Sequence, residues 1–87
     1  MARYRLLVKP SAVKEIEAVG QKRNRQRIVA RIHSLAETPR PHDCEKLAGG
    51  RDRYRVREGN YRIVYAVDDE QLLVEVVKVG HRKDVYR

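Results

Sequence analysis

The last third of the chain, Arg53–Tyr86, constrains the fold more than any other stretch. In the run RYRVR at 53–57, every second residue is an arginine, so a strand there has one cationic face and one apolar face. The run Tyr61–Val67 also alternates, and Leu72–Val79 is apolar almost throughout. These patterns predict a meander of three antiparallel strands, of which the last is covered on part of both faces.

Turn residues separate these predicted strands. The sequence Glu58-Gly59-Asn60 supplies the positive φ that a tight hairpin needs, and Asp68–Gln71 is a second turn. Gly80 is predicted to end the last strand, and the polar tail HRKDVYR follows it.

The first half of the chain predicts one strand and a helical hairpin. The run Tyr4–Val8 is typical of a strand, which Pro10 ends. Ser11 is the predicted N-cap of a first helix that stops or kinks at Gly20. Apolar residues then recur at helical spacing, which predicts a second helix over about Lys22–Glu37.

The segment Thr38–Arg51 contains two prolines and a glycine pair, and it is predicted to be the one long loop. No shift in composition marks a second domain, so we expect residues 1–87 to form a single domain. The element order β-α-α-β-β-β predicts a two-layer α+β fold. In it the helical hairpin packs on one face of a mainly antiparallel four-stranded sheet.

The charge of the chain suggests a polyanionic partner. Its 20 Lys and Arg outnumber its 12 Asp and Glu, which gives a net charge of +8 and makes nucleic acid the first partner to consider. Charge alone also allows a basic surface with no dedicated ligand, or a protein bound by an acidic partner. The chain has no run of the ~18 apolar residues that a membrane span needs. It also lacks a secretory signal and has a single cysteine, so we expect a cytoplasmic protein without a membrane partner.

The motifs of several common sites are absent from the sequence. It has no glycine-rich phosphate loop, no Cys or His pair with zinc spacing and no nucleophile elbow, so no metal or cofactor is required. What remains is a group of cations with one histidine and one tyrosine, on the predicted meander and its tail: Arg55, Arg57, Arg62, His81, Arg82 and Tyr86. Because hairpin neighbours lie ~5 Å apart, these residues could form a concave cationic patch with the His and the Tyr at its edge.

Such a patch suits phosphodiester chemistry. Arginine forks bind phosphate in a bidentate manner and neutralise the charge that develops at phosphorus during cleavage. In RNA the substrate's own 2′-hydroxyl can be the nucleophile, so neither a protein nucleophile nor a metal is needed. The alternative is that the strand arginines are solvated residues that discourage edge pairing, and that Tyr86 packs on the core.

The motifs YRVR at 54–57, GNYRIVY at 59–65 and VGHRKDVY at 79–86 resemble those of the RelE toxins, in the RelE/ParE superfamily of bacterial toxin–antitoxin modules. The resemblance covers nearly the whole chain, because the predicted first strand and helical hairpin also match that fold. It implies a metal-independent endoribonuclease, or mRNA interferase, that cuts messenger RNA in the ribosomal A site and leaves a 2′,3′-cyclic phosphate. The partners that it implies are the ribosome, the mRNA and a cognate antitoxin.

The resemblance also implies roles for single residues. Arg62 matches the strand arginine that stabilises phosphate charge, and Arg82 matches the arginine on the leaving-group side. Tyr86 matches the tyrosine that stacks on the substrate base. Arg55 and Arg57 stand where the best-known members have lysines, one of which is proposed as the general base. Since arginine keeps its proton, we expect these two residues to bind phosphate instead.

The identity of the general base therefore stays open in the sequence. His81 is the predicted general acid or base, because an imidazole exchanges protons near neutral pH. Glu58, in an exposed turn, is the weaker candidate. If neither serves, the enzyme would rely on positioning and charge neutralisation.

A competing hypothesis comes from the same superfamily. ParE-type members are not nucleases but bind and inhibit DNA gyrase, and they typically lack the arginine and tyrosine constellation. The presence of Arg62, Arg82 and Tyr86 therefore favours the nuclease. A toxin-like remnant that only binds its partner is the third hypothesis.

Overall fold

The structure, a computed structural model, describes residues 3–48 and 52–81. These residues form β1 (Arg5–Val8), α1 (Pro10–Glu17), α2 (Lys22–Ser34), β2 (Glu45–Lys46), β3 (Arg53–Glu58), β4 (Tyr61–Asp68) and β5 (Leu73–His81). The strands make one sheet in the order β1-β5-β4-β3-β2, in which β1 is parallel to β5 and the other neighbours are antiparallel. The predicted α+β fold is confirmed, although the described part of the sheet has five strands and not four.

The hydrophobic core lies between the two helices and one face of this sheet. Among the largest fully buried side chains are Ile28 and Leu35 from the helical segment and Ile63 and Tyr65 from β4. Tyr54 stacks on Tyr65 across the β3–β4 pair, with ring centroids 5.8 Å apart. Since burial of apolar surface contributes ~25 cal/mol per Å², this layer is what holds the helices on the sheet.

The predicted N-cap of the first helix is wrong. α1 begins at Pro10, and its N-cap is Lys9, which makes no side-chain capping hydrogen bond. The reason is that proline suits the first helical position, where its fixed φ is already helical and its missing N–H has no partner to lose. Ser11 therefore lies inside the first turn of the helix.

The second helix is shorter than predicted, because α2 ends at Ser34 and not near Glu37. Beyond the helix, the carbonyl of Ala36 accepts a hydrogen bond of 2.9 Å from the backbone N–H of Tyr4. The chain thus leaves the helix to pair with the residues that lead into β1, while Leu35 and Ala36 stay buried.

Two further boundaries differ from the prediction. The segment predicted as one long loop contains β2, which is too short for any alternation to reveal it; its Glu45 pairs with Arg55 of β3. β5 does not end at Gly80 but continues to His81. The reason is that Gly80 pairs with Arg62 of β4 and His81 pairs with Tyr61.

The predicted turn between β3 and β4 is present at Gly59, where φ is +60°. Glu58, however, is not an exposed turn residue: it is the last residue of β3, pairs with Tyr61 and is half-buried.

Within the described residues, neither helix is long and apolar enough to cross a membrane.

Candidate nucleic-acid interface

Three strand arginines lie on the face of the sheet that points away from the helices. In the β3–β4 pair, Arg57 is directly opposite Arg62, whereas Val56 is opposite Ile63. Directly paired residues share a face of the sheet. Since Val56 and Ile63 belong to the core cluster, Arg57 and Arg62 project from the opposite face, and Arg55 shares it because side chains alternate along β3.

These arginines line a concavity of about 260 Å³. Its walls combine the three cations with two carboxylates: Asp43, Glu45, Arg55, Arg57 and Arg62. We call this site the arginine concavity. The convergence that the alternation predicted for the three strand arginines is thus present.

Arg62 is the most buried member of the arginine concavity, with 5% of its surface exposed. Its Nη1 donates to the carbonyl oxygen of Tyr61 at 3.4 Å. A guanidinium held in place by the surrounding strands does not have to reorganise when an anion arrives, and poor screening there strengthens its attraction for the anion. Arg62 is therefore suited to stabilising negative charge on a phosphate.

Arg55 forms an ion pair with a carboxylate inside the arginine concavity. Its Nη2 donates to Oε1 of Glu45 at 2.8 Å, and the Arg55 side chain is 12% exposed while that of Glu45 is 69% exposed. The hydrogen bond from Arg55 lowers the pKa of Glu45, and the charges of Arg55, Arg57 and Arg62 lower it further. Glu45 is therefore ionised at neutral pH and lies in the field of all three arginines.

The second carboxylate, Asp43, has a different partner. Nη2 of Arg31, on α2, donates to Oδ2 of Asp43, and this hydrogen bond lowers the pKa of Asp43. Asp43 is thus tied to the helical layer, whereas Glu45 is tied to the sheet.

Residues 39–46, here called the strap, carry both carboxylates to the arginine concavity. The Tyr65 hydroxyl donates to the carbonyl of Pro39 at 2.6 Å, and burial raises the pKa of Tyr65. The Nε of Arg40 donates to the Tyr54 hydroxyl at 2.8 Å, and its guanidinium lies 5.1 Å from the centroid of that ring. Two core tyrosines therefore hold the start of the strap.

Arg40 also connects the strap to the β4–β5 turn. Its Nη1 and Nη2 donate to the two carboxylate oxygens of Asp69 at 3.1 and 2.9 Å, and the Tyr4 hydroxyl donates to the same carboxylate at 2.6 Å. These hydrogen bonds lower the pKa of Asp69, and the one from Arg40 has the larger effect. The hydrogen bond to Asp69 also raises the pKa of Arg40.

His81 lies elsewhere than the sequence suggested. It is part of β5, directly opposite Tyr61, and the two rings meet edge to face with centroids 5.7 Å apart. Val79 lies two residues before His81 and is in the core cluster, so His81 projects from the helix-bearing face and not from the face of the strand arginines. It shares a shallow pocket with Glu15 of α1.

Two predicted site residues, Arg82 and Tyr86, lie outside the residues that the structure describes. The roles that the resemblance implies for them stay predictions.

Sequence reasoning missed Asp43 and Glu45, which lie in the segment that was predicted as loop. The available signal was their spacing of two residues, since side chains two apart project to the same side of an extended chain. That signal is weak, because nothing in the sequence indicates that the segment is extended or that it pairs with β3.

Comparison with known proteins places the chain in a family. The family model of the ParE toxin of type II toxin–antitoxin systems, parDE, matches residues 6–86. The mRNA interferase toxin RelE of Escherichia coli (strain K12) is 35% identical over 74 residues, which cover 83% of this chain and 76% of that protein.

Solved structures of toxin–antitoxin complexes support the same family. A chain of the intact E. coli RelBE toxin–antitoxin complex superposes with a TM-score of 0.76 at 34% identity, covering 90% of this chain and 95% of that one. A chain of the archaeal RelE–RelB complex from Pyrococcus horikoshii OT3 gives a TM-score of 0.82 at 28% identity, covering 97% and 99%. The resemblance inferred from the motifs is therefore confirmed: the chain belongs to the RelE family, among the RelE/ParE toxins of type II toxin–antitoxin systems.

Proposed function

We propose that this toxin is a metal-independent endoribonuclease that cuts messenger RNA in the ribosomal A site, with the substrate's 2′-hydroxyl as the nucleophile. The observation that carries the proposal is the arginine concavity, in which three guanidinium groups meet on the face away from the helices. The similarity to a protein named mRNA interferase toxin RelE supports it.

In the proposed reaction, the 2′-oxygen bonds to the adjacent phosphorus while the bond from phosphorus to the 5′-oxygen of the next nucleotide breaks. A base takes the 2′-hydroxyl proton, and an acid donates a proton to the leaving oxygen. The products are a 2′,3′-cyclic phosphate and a 5′-hydroxyl end. Arg62, supported by Arg55 and Arg57, would stabilise the charge on the non-bridging oxygens, an effect worth about 10²–10³ in rate for one preorganised donor.

The Glu45 carboxylate also lines the arginine concavity, where the reacting phosphate would bind. Its lowered pKa keeps Glu45 ionised but makes it a weak proton acceptor, so we do not assign it as the base. His81 and Glu58 are the candidates for that role, and we expect charge stabilisation and positioning to supply most of the rate.

The leaving oxygen needs a proton donor at the same end of the sheet. His81 follows Gly80, which pairs with Arg62, so His81 is close to the arginine concavity along the strand although its ring is on the other face. An RNA that wraps around this end of the sheet would contact both faces. In this proposal Arg82 acts on the leaving-group side and Tyr86 stacks on the substrate base.

The charge of the site favours a substrate that arrives already oriented. Among the residues that the structure describes, three arginines face two carboxylates in the arginine concavity, a local charge of +1, whereas the whole chain carries +8. Free RNA would bind weakly to such a site. We propose that the ribosome supplies the orientation of the message, which is a large part of the rate in reactions of this kind.

We also propose that a cognate antitoxin neutralises the protein. The structures of E. coli and P. horikoshii to which the chain is similar are complexes of a toxin with its antitoxin. An extended segment with acidic and apolar anchors could bind the cationic face and exclude RNA from it.

Inhibition of DNA gyrase is the second candidate function, because the matching family model is that of the ParE toxin. The two functions differ in product, since a nuclease leaves cut RNA and a gyrase inhibitor leaves DNA relaxed. Both products can be measured with the same purified protein.

The test adds the purified toxin to ribosomes programmed with a defined message and, in parallel, to a gyrase supercoiling reaction. We expect cleavage within the A-site codon, slowed about 10²–10³-fold in Arg62→Ala, and no effect on supercoiling. Arg23→Ala is the matched control, because it removes an exposed arginine from α2, away from the arginine concavity. Inhibited supercoiling together with intact message would overturn the proposal in favour of the ParE-type function.

A further inference from the structure

We infer that Glu45 is a specificity-determining residue whose carboxylate occupies the phosphate position on Arg55 in the free toxin, so that a nucleic acid binds there only by displacing it. The inference rests on the proposed function in taking the ligand of the arginine concavity to be RNA. The Glu45 carboxylate is then an intramolecular competitor of RNA phosphate for Arg55, and it determines which polyanions bind at the site.

The geometry of the β2–β3 pair supports this competition. Glu45 is the direct cross-strand partner of Arg55, and its Oε1 accepts from Nη2 at 2.8 Å. A carboxylate and a phosphate present the same kind of paired oxygen acceptors to an arginine fork. Glu45 therefore holds Arg55 through the contacts that a phosphate would use.

The two partners differ in their freedom to move. The Arg55 side chain is 12% exposed, whereas that of Glu45 is 69% exposed and lies on a two-residue strand at the sheet edge. Because most of the Glu45 side chain is exposed, water and salt screen this ion pair and weaken it. Incoming phosphate can thus turn the Glu45 side chain out to solvent while Arg55 stays in place.

The balance of charge in the arginine concavity gives this displacement a selective effect. Without the Glu45 charge, Asp43 would be the one carboxylate that lines the described part of the arginine concavity, and Asp43 is itself bound to Arg31. A chain with a net charge of +8 would then bind polyanions non-specifically at this site. With Glu45 in place, only an RNA whose phosphate is held against Arg55 by further contacts gains enough to displace it.

The experiment measures binding of a short 2′-O-methyl RNA, which cannot be cleaved, by fluorescence anisotropy over a range of salt concentrations. We expect Glu45→Gln to bind about 3–10-fold more tightly than the wild type, with a log–log salt slope steeper by about 0.7, the value for one more phosphate contact on a single strand. Glu37→Gln is the matched control, since it removes one negative charge and releases Arg3 from an exposed ion pair elsewhere.

A double variant tests whether the effect passes through Arg55. In an Arg55→Gln background, the Glu45→Gln substitution should no longer change affinity. The inference is overturned if Glu45→Gln binds no more tightly than Glu37→Gln, or if its effect persists without Arg55.

A measurement on the unsubstituted toxin covers the case in which a variant does not fold. The ¹³C signal of the Glu45 carboxylate should move when the 2′-O-methyl RNA saturates the protein, while that of Glu37 stays constant. An unmoved Glu45 signal at saturation contradicts displacement. Because none of these readouts requires cleavage, a failure of the proposed nuclease activity would be seen separately, in the ribosome assay.

Discussion

Two neighbouring residues of β4, Arg62 and Ile63, are almost equally buried but lie in opposite surroundings. Their exposed fractions are 5% and 0%. Ile63 faces the helices and pairs with Val56, whereas Arg62 faces the arginine concavity and pairs with Arg57. One face of the strand therefore stabilises the fold and the other presents charge, so that single substitutions should separate stability from activity.

The largest expected effect on stability is on the helix-bearing face. Replacing Ile63 with alanine should lower the free energy of unfolding by about 2–5 kcal/mol, because it removes buried methyl groups and leaves a cavity in the core. Urea denaturation followed by circular dichroism measures it. Val29→Ala, at an exposed position of α2, is the control and should change stability by about 0.5 kcal/mol or less. Equal losses in the two variants would contradict the assignment of the core.

A smaller effect on stability is expected at the strap, which joins the two faces. Arg40→Ala removes the hydrogen bonds to Asp69 and to the Tyr54 hydroxyl. Because the Arg40 side chain is partly exposed, solvent screening limits the loss to about 1 kcal/mol. Uncleavable RNA should bind more tightly as well, since the strap holds Glu45 on Arg55. A variant with unchanged RNA binding and lowered stability would show that the strap does not position Glu45.

On the arginine face, Arg57→Ala should leave stability nearly unchanged, within about 0.5 kcal/mol, because the side chain is exposed. Binding of uncleavable RNA should weaken, with a log–log salt slope shallower by about 0.7, as expected for the loss of one phosphate contact. Fluorescence anisotropy at several salt concentrations measures both. An unchanged slope would remove Arg57 from the proposed phosphate-binding set.

The smallest expected effect is on the loss of stability at low pH. The pKa of Asp69 is lowered in the folded protein, mainly by the hydrogen bond from Arg40 and then by that from Tyr4. The unfolded chain therefore binds more protons than the folded one in mild acid. The stability that this carboxylate contributes is present above its unfolded pKa and is lost as pH falls through the lower folded pKa. Urea midpoints between pH 6 and pH 2 should fall less steeply for Asp69→Asn than for the wild type, and parallel profiles would contradict the pKa assignment.

The sequence predicted the fold well wherever a repeating pattern was long enough to be read. The alternation in β3 and β4 placed Arg57 and Arg62 on one face, and register then brought them together. Boundaries set by backbone pairing were less visible. Gly80 reads as a strand end, but it lies within β5 because β4 extends far enough to pair with it.

The sequence predicted only the part of the site that lies on strands with a readable periodicity. Its arginines follow strand periodicity, whereas Glu45 reaches Arg55 through a two-residue strand that leaves no periodic signal. The ring of His81 lies with Tyr61 on the helix-bearing face, because β5 keeps its alternation one residue beyond Gly80. Contacts that depend on the register of short segments cannot be inferred from spacing alone.

The central claim is that the arginine face binds the reacting phosphate of translated RNA and stabilises its charge, while the core on the opposite face maintains the fold. Primer extension on a translated message after induction of the toxin tests it most directly, with the wild type compared with Arg62→Ala. The account predicts 5′ ends within codons of the translated region for the wild type, and their loss in an Arg62→Ala protein that circular dichroism shows to be folded. Equal cleavage by a folded Arg62→Ala protein would contradict it.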